Sequence, residues 1–309
     1  MISSIRLYFL GTGGSWPTPQ RNTLSLGVRI NDEALLFDCG ESAQTSLMRS
    51  SLSLMKIKRV FITHFHGDHF LGLPGLIQTM SFYGRTDPLE IYGPIGASTV
   101  LGNLLSIGYY SLNFEIRIEE LKGSSSIDFG DYSVAYSKAD HTIPALSYAV
   151  IEKDYARLDE EKIKELKVPR NLLEKIRKGG SARVNGRNVT IEDISGGVRR
   201  GRKISYSGDT RRNSSLLDLF RDSTILIHES TGEGSNENKV ISYGHSTGKD
   251  AGIQARDSNS KRLILVHFSP RYNDIRPIIE EAKSVFQNVT AAEELMELEV
   301  SIGDNSAQN

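Results

Sequence analysis

Cysteine occurs once in the 309 residues, as Cys39, which excludes an internal disulfide framework and fits a reducing compartment. Long hydrophobic runs are absent as well. None approaches the roughly 20 apolar residues needed to cross a bilayer, so no membrane partner is expected. The opening Met1-Ile2-Ser3-Ser4-Ile5-Arg6 enters a strand pattern without the layout of a signal peptide, and the expected location is the cytoplasm. Charge of one sign is also missing. A net charge of −1 argues against a nucleic-acid partner if the charge is evenly spread, so its distribution decides. With 38% apolar residues the chain can bury one large α/β core or two moderate ones. A single domain over residues 1–309 carrying one insertion is the expectation, and no internal repeat stands out.

What the chain does have is histidine concentrated in one place. Thr63-His64-Phe65-His66-Gly67-Asp68-His69 sets three imidazoles and a carboxylate within six residues, directly after the apolar run Arg59-Val60-Phe61-Ile62. Imidazole and carboxylate hold zinc and similar divalent ions while leaving positions open for catalysis. On a helix, two zinc-binding histidines stand four residues apart on one face. His64 and His66 are two apart and converge only from a strand end or a loop. The remaining histidines are His141, His228, His245 and His267. His267 ends Arg262 to Val266, His228 ends Thr224 to Ile227, His141 follows Val134 to Ala139, and Asp209 follows Ile204 to Gly208. One histidine after one strand is ordinarily a hydrogen-bonded core or surface residue. Several strands that each end on a ligand-type residue predict a shared cleft, because α/β sheets bind ligands along the edge where strands end.

Periodicity predicts strands at Ile5 to Leu10, Leu24 to Ile30, Ala34 to Phe37, Glu90 to Gly93 and Phe114 to Leu121. Helices are predicted from Gln44 to Ser50, Phe70 to Tyr83 and Asp274 to Phe286, with a final strand within Val289 to Leu298. The span from about Glu152 to Arg202 differs from both flanks. From Arg170 to Lys203 it carries Arg170, Lys175, Arg177, Lys178, Arg183, Arg187, Arg199, Arg200, Arg202 and Lys203 against Glu174, Glu192 and Asp193, a local charge of +7. Its mixed-charge helical pieces and its Gly179-Gly180 and Gly196-Gly197 breaks predict a flexible segment without a core of its own. A solvated surface loop is the ordinary reading of such a segment.

Several motifs carry a family likeness along nearly the whole chain. They are Phe9-Leu10-Gly11-Thr12-Gly13, Pro17-Thr18-Pro19-Gln20-Arg21-Asn22, Phe37-Asp38-Cys39-Gly40-Glu41, His64 to Leu76, Ala139-Asp140-His141, Tyr206 to Thr210, His228-Glu229-Ser230-Thr231, Gly244-His245-Ser246-Thr247 and Val266 to Tyr272. The chain resembles the metallo-β-lactamase-fold hydrolases and, within them, the ribonuclease Z family of endonucleases that remove 3′ trailers from precursor tRNA. The H-x-H-x-D-H run specifies only the superfamily, whereas the ordered set with the basic insertion specifies the tRNA-processing branch. The resemblance implies an α/β fold, an αββα sandwich with an inserted RNA-binding arm over about 152–202. It also implies two divalent ions per subunit, zinc or alternatively manganese, and a homodimer. The segment before Gly201 lacks the prolines often found in that arm.

By the same resemblance His64, His66 and His141 hold one ion and Asp68, His69 and His267 the other, with Asp209 bridging. Asp68 doubles as the general base, since a carboxylate beside two dications stays ionised. His245, oriented by Glu229, is the candidate proton donor to the leaving 3′-oxygen. Asp38 and Asp140 are expected to accept the second ring N–H of ligand histidines. The turn at Thr12, Gly13 and Gly14 is expected to be a tight turn, with approach to a phosphate as the other reading. RNA contacts are expected from Arg21 and Asn22, from Arg271 and Tyr272, and from Lys178, Arg183, Arg187, Arg199, Arg200, Arg202 and Lys203 in the arm, where cations give affinity and register without reading sequence. Two other functions fit the cluster: a small-molecule hydrolase of the same fold, which has no use for a basic arm, and a non-catalytic RNA-binding member, which would have lost ligands.

Overall fold

The segments Ile225–Glu229, apolar through Ile227, and Leu263–Val266 are buried throughout, the pattern of parallel strands covered on both sides. In the computed structural model, which describes residues 2, 4–177 and 179–301, they lie inside one of two seven-stranded sheets. Along the chain come β1 (Ile5–Gly11), β2 (Ser25–Ile30), β3 (Glu33–Phe37), β4 (Ile57–Phe61), β5 (Leu89–Gly93) and β6 (Ile116–Glu120), then β7 (Ser125–Asp128), β8 (Tyr132–Lys138) and β9 (Leu146–Glu152). Four short strands follow: β10 (Tyr155–Leu158), β11 (Ala182–Val184), β12 (Arg187–Val189) and β13 (Ser195–Arg199). The chain ends through β14 (Lys203–Tyr206), β15 (Ile225–Glu229), β16 (Leu263–Val266), β17 (Val289–Ala291) and β18 (Glu297–Glu299).

The sheet orders are β18-β1-β2-β3-β4-β5-β6 and β17-β16-β15-β14-β9-β8-β7. In each, antiparallel pairing gives way to parallel pairing, at β3 in the first sheet and at β14 in the second. The inner faces share one core, where Phe37 stacks on Phe61 at 5.1 Å and both meet Tyr148 from the other sheet. Helices Ala43–Arg49, Leu73–Phe82 and Ala97–Leu105 cover the outer face of the first sheet, and Gly248–Asp257 and Arg276–Lys283 that of the second. The result is the αββα sandwich.

Two sequence expectations change. The final strand divides in two, β17 joining the second sheet and β18 the first. A turn closed by Met296 N–H donating to Glu293 O, with Leu295 at φ 62°, carries the chain between them. The basic segment between β9 and β14 also has a core, contrary to the reading of its composition: Ile163, Val168, Ile176, Ala182, Val184, Val189 and Ile194 are buried together. Helices Glu160–Glu165 and Arg170–Arg177, the β11–β12 hairpin and the β10–β13 pair turn these few side chains inward and most of the charges outward. Placement at the period of each element closes a small core that overall composition hides.

Arg202 is a further correction. Expected among the RNA contacts, it is 2% exposed. Its guanidinium donates from Nε and Nη2 to both carboxylate oxygens of Glu152, at 2.7 and 3.1 Å, and to the carbonyls of Val300 and Ile2. Every nitrogen of the fork is used inside the protein, so Arg202 ties the two roots of the arm to both chain ends and cannot reach a phosphate.

Candidate metal centre

The cleft forms at the C-terminal ends of β4, β14, β15 and β16, where Thr63-His64, Asp209, Glu229 and His267 leave their strands. Two non-glycine residues there adopt the left-handed region, Asp38 at φ 57° just after β3 and His267 at φ 61° just after β16. Such conformations are costly and cluster where function fixes a side chain. Asp38 is fully buried and accepts from Thr63 N–H at 2.8 Å, from Tyr206 Oη at 2.7 Å and from His69 Nδ1 at 2.8 Å. Gly14 lies so close to the His267 ring that a Cβ would fall 2.4 Å from Cε1, so this turn braces a ligand histidine.

The hydrogen bonds decide which ring nitrogens face the cleft. Thr63 Oγ1 donates to Asp38 and therefore accepts from His64 Nδ1, 3.0 Å away. Thr231 Oγ1 donates to Glu229 at 2.7 Å and so accepts from His267 Nδ1 at 2.8 Å. His141 Nδ1 donates to Gly244 O at 2.8 Å. With Nδ1–H spent in each case, Nε2 of His64, His69, His141 and His267 faces the cleft and offers a lone pair there when the ring is neutral. Asp140 lies elsewhere, paired with Arg211 at 2.9 Å, so only Asp38 of the two expected carboxylates orients a ligand ring. Sequence reading missed Thr63, Tyr206 and Thr231, since hydroxyls carry no pattern of their own.

His64 Nε2 and His141 Nε2 each lie 3.1 Å from His66 Nδ1. Asp209 Oδ2 is 3.6 Å from His64 Nε2, 3.4 Å from His69 Nε2 and 3.3 Å from His267 Nε2, while Asp68 Oδ2 is 3.6 Å from His69 and 3.4 Å from His267. Ligands about 2.0–2.1 Å from a tetrahedral ion stand roughly 3.3–3.4 Å from one another. Buried His69 Nε2, His267 Nε2 and Asp209 Oδ1 have no hydrogen-bond partner among the described residues, which buried polar atoms rarely tolerate. The donors therefore fit metal ions, grouped as His64, His66, His141 and Asp209, and as Asp68, His69 and His267. His245 also lies near Asp209 and His267, but its Nδ1 is held by Glu229 Oε1 at 3.0 Å, against 3.7 Å to Asp209.

Burial works against the Asp68 carboxylate, yet His69 and His267 outweigh it and hold the group below the usual carboxylate range. Ser15 N–H adds a hydrogen bond to Asp68 Oδ2. Burial likewise opposes charge on His245, but the Glu229 carboxylate pushes it up to about 9. Burial and neighbouring imidazoles lower His64 well below its ordinary value, and burial leads the lowering of His66 and His141. Cys39 is fully buried, which pushes its thiol up and removes it as a nucleophile or ligand.

His66, Asp68, Asp209, His245, His267 and Arg271 line one open cavity of about 540 Å³ with Trp16 and Tyr243. His228 stays outside it, buried with Nδ1 on the Glu229 carbonyl. Arg271 is exposed and lies 5.6 Å from the Trp16 ring. Arg21 donates to the Tyr272 carbonyl and Asn22 to Ser46 Oγ, so both are engaged within the protein. Arg183, Arg187 and Arg200 are exposed, Arg187 pairing with Asp193. Arg199 lies over the Tyr155 ring, and Lys203 donates to Arg221 O. Lys178 lies outside the described residues. Both arm roots, Glu152 and Lys203, stand at the sheet edge away from the cleft, because β14 runs from Lys203 toward Asp209. That separation is on the order of 15–20 Å at strand rise.

Two stacked sheets in an αββα sandwich, with a His/Asp cleft where the parallel strands end, define a metallo-β-lactamase-fold hydrolase. A family model described as "Anti-Pycsar protein Apyc1" matches residues 5–156, which include the His64–His69 run but not Asp209 or His267. Over nearly the full length the chain is 47% identical to a ribonuclease Z of Thermoplasma volcanium, covering 98% of this chain and 99% of that one. It is 38% identical to a ribonuclease Z of Archaeoglobus fulgidus, over 97% and 99%. The crystal structure of human tRNase Z, short form, superposes with a TM-score of 0.70 at 30% identity, over 96% of this chain and 99% of that one. The chain belongs to the ribonuclease Z family. Among the described residues no helix is long and apolar enough to cross a membrane.

Proposed function

We propose that the chain is the endoribonuclease that removes the 3′ trailer from precursor tRNA in the cytoplasm. The observation that carries this reading is one cleft holding two adjacent donor sets, the Asp68 carboxylate in one of them, and a carboxylate-held imidazole facing the same cavity. Relatives named ribonuclease Z and a solved tRNase Z support it over nearly the whole chain.

His64, His66 and His141 would hold one divalent ion, Asp68, His69 and His267 the other, and Asp209 both. Zinc suits these nitrogen and oxygen donors best, with manganese the alternative. Two such ions supply Lewis acidity toward a phosphodiester when bound. The side chains then divide the proton work. Asp68, held ionised, accepts a proton from the attacking water, whose oxygen bonds to phosphorus. The bond from phosphorus to the 3′-oxygen breaks, and His245 delivers a proton to that oxygen, with Glu229 stabilising the imidazolium. The tRNA keeps a 3′-hydroxyl and the trailer keeps the phosphate.

The exposed Arg183, Arg187 and Arg200, with Arg199, give the arm its phosphate contacts. Exposed Phe82, Tyr83, Ile107 and Tyr109 lie at the end of the helix Leu73–Phe82 and on the loop packed against that end, a surface suited to a second copy of this chain. The test is cleavage of a 3′-extended precursor tRNA by purified protein, wild type beside His66→Ala, with product ends mapped. A single metal-dependent cut after the last retained nucleotide, absent in the variant, is expected. Intact RNA beside hydrolysis of a small phosphodiester would reduce the reading to fold and two-metal chemistry.

A further inference from the structure

Beside the metal cleft lies a smaller pocket of about 190 Å³ that the hydrolytic chemistry does not use. Buried Gly232, Val240 and Ser269 line its interior, Tyr272 one wall, and Asn236 and Lys239 its rim. Thr231, Tyr243, His245 and Arg271 line both this pocket and the cleft, so the two spaces adjoin. The absence of a side chain at Gly232 keeps the interior open: a Cβ there would stand 2.6 Å from Val240 Cγ2 and 3.3 Å from the Tyr272 hydroxyl.

The walls differ in how they are held. Tyr272 is fixed in place: its hydroxyl accepts from Glu233 N–H and Asn236 Nδ2, its N–H donates to Ser269 O, and its carbonyl accepts from Arg21. Tyr243 ends the helix Glu237–Ser242 and leaves 60% of its surface exposed at the boundary of the two cavities. A core tyrosine would not be so placed. An exposed aromatic ring beside a ring-sized, mostly apolar pocket is the arrangement by which proteins hold splayed, single-stranded bases.

We propose that this pocket receives the base of the last retained nucleotide, the one whose 3′-oxygen leaves, with Tyr243 as its stacking platform. The inference rests on the tRNA-processing reading above. Its direction comes from chemistry: His245 donates to the leaving 3′-oxygen and also lines the pocket, so the ribose carrying that oxygen brings its own base there. The trailer nucleotide is joined through the other side of the phosphate.

The test is a double-mutant cycle with metal-loaded protein on a precursor tRNA. Wild type, Tyr243→Ala and Tyr243→Phe are each assayed on the ordinary substrate, on one abasic at the last retained nucleotide, and on one abasic at the first trailer nucleotide. Tyr243→Ala is expected to lower kcat/KM about 5- to 150-fold, the range for loss of one stacked base, while Tyr243→Phe retains the rate. On the substrate lacking the retained base, wild type is expected to fall by a similar factor and Tyr243→Ala to add nothing further. Losses that multiply, or coupling to the trailer nucleotide instead, would overturn the assignment. Failure of wild type to cut any precursor would remove the tRNA reading itself, a result distinct from either.

Discussion

The carboxylates and imidazoles of the cleft are buried or half-buried, and partners fix them: Asp38 by three, His267 by Thr231, His245 by Glu229. In the arm the cations lie mostly at the surface, around seven buried apolar side chains. The contrast separates two kinds of work. Bond breaking needs groups fixed before the substrate arrives, because reorganisation at the moment of reaction is what an enzyme avoids. Phosphate attraction needs only positive charge within reach, and water around it costs little. Arg202 shows the difference within one segment, since the same guanidinium that would attract RNA at the surface becomes a structural tie when Glu152 is beside it in the interior.

The comparison predicts four graded outcomes. Asp68→Ala is expected to cut kcat on precursor tRNA by about 10³-fold or more, in the range of losing a principal catalytic group, while the Kd from filter binding stays near wild type. Retained turnover would remove Asp68 from the chemistry. Arg202→Ala leaves buried Glu152 unpaired and should lower stability by about 3–5 kcal/mol in urea unfolding, the usual result of breaking a buried pair. Unchanged stability would mean that the Arg202–Glu152 pair does not tie the arm to the body.

Charge reversal at Arg183, Arg187 and Arg199 together should raise the KM for precursor tRNA about 10- to 100-fold and flatten its salt dependence, affecting a small phosphodiester far less. Equal losses on both substrates would make the arm a structural element rather than a grip. The smallest effect concerns pH in metal-free protein. The folded value of His245, about 9, lies above the ordinary 6.5. Its contribution to stability is therefore full below pH 6.5 and fades as pH rises through about 9. Thermal melts of wild type should decline across that window and those of His245→Gln should decline less. Burial opposes charge on His69 too, but the Asp209, Asp68 and Asp38 carboxylates hold it above its ordinary value, so it still titrates there.

Much of the cleft was legible because ligand chemistry leaves dense marks. His64, His66, Asp68, His69, His141, Asp209 and His267 each had a recognisable strand end or motif, and the structure brings all seven together. The arm was legible only as charge. Its apolar residues are spread over 32 positions from Ile163 to Ile194, too sparse to read until the hairpin and helices give them a common side. The split of Val289 to Leu298 between two sheets was equally hidden, since short strands look alike whichever sheet they join.

The sequence by itself determined which residue types could bind metal, that they follow strands, and that positive charge gathers in one insertion. Those facts are local, written in spacing and composition. Tertiary structure decided which histidine nitrogen faces the cleft, that Thr231 and Glu229 link His267 to His245, that Asp140 orients no ligand, and that Arg202 is buried while Arg200 is exposed. Each of these depends on partners up to about 200 residues apart in the chain, and distance in space, which sets hydrogen bonds and desolvation, is not written in the order of the residues.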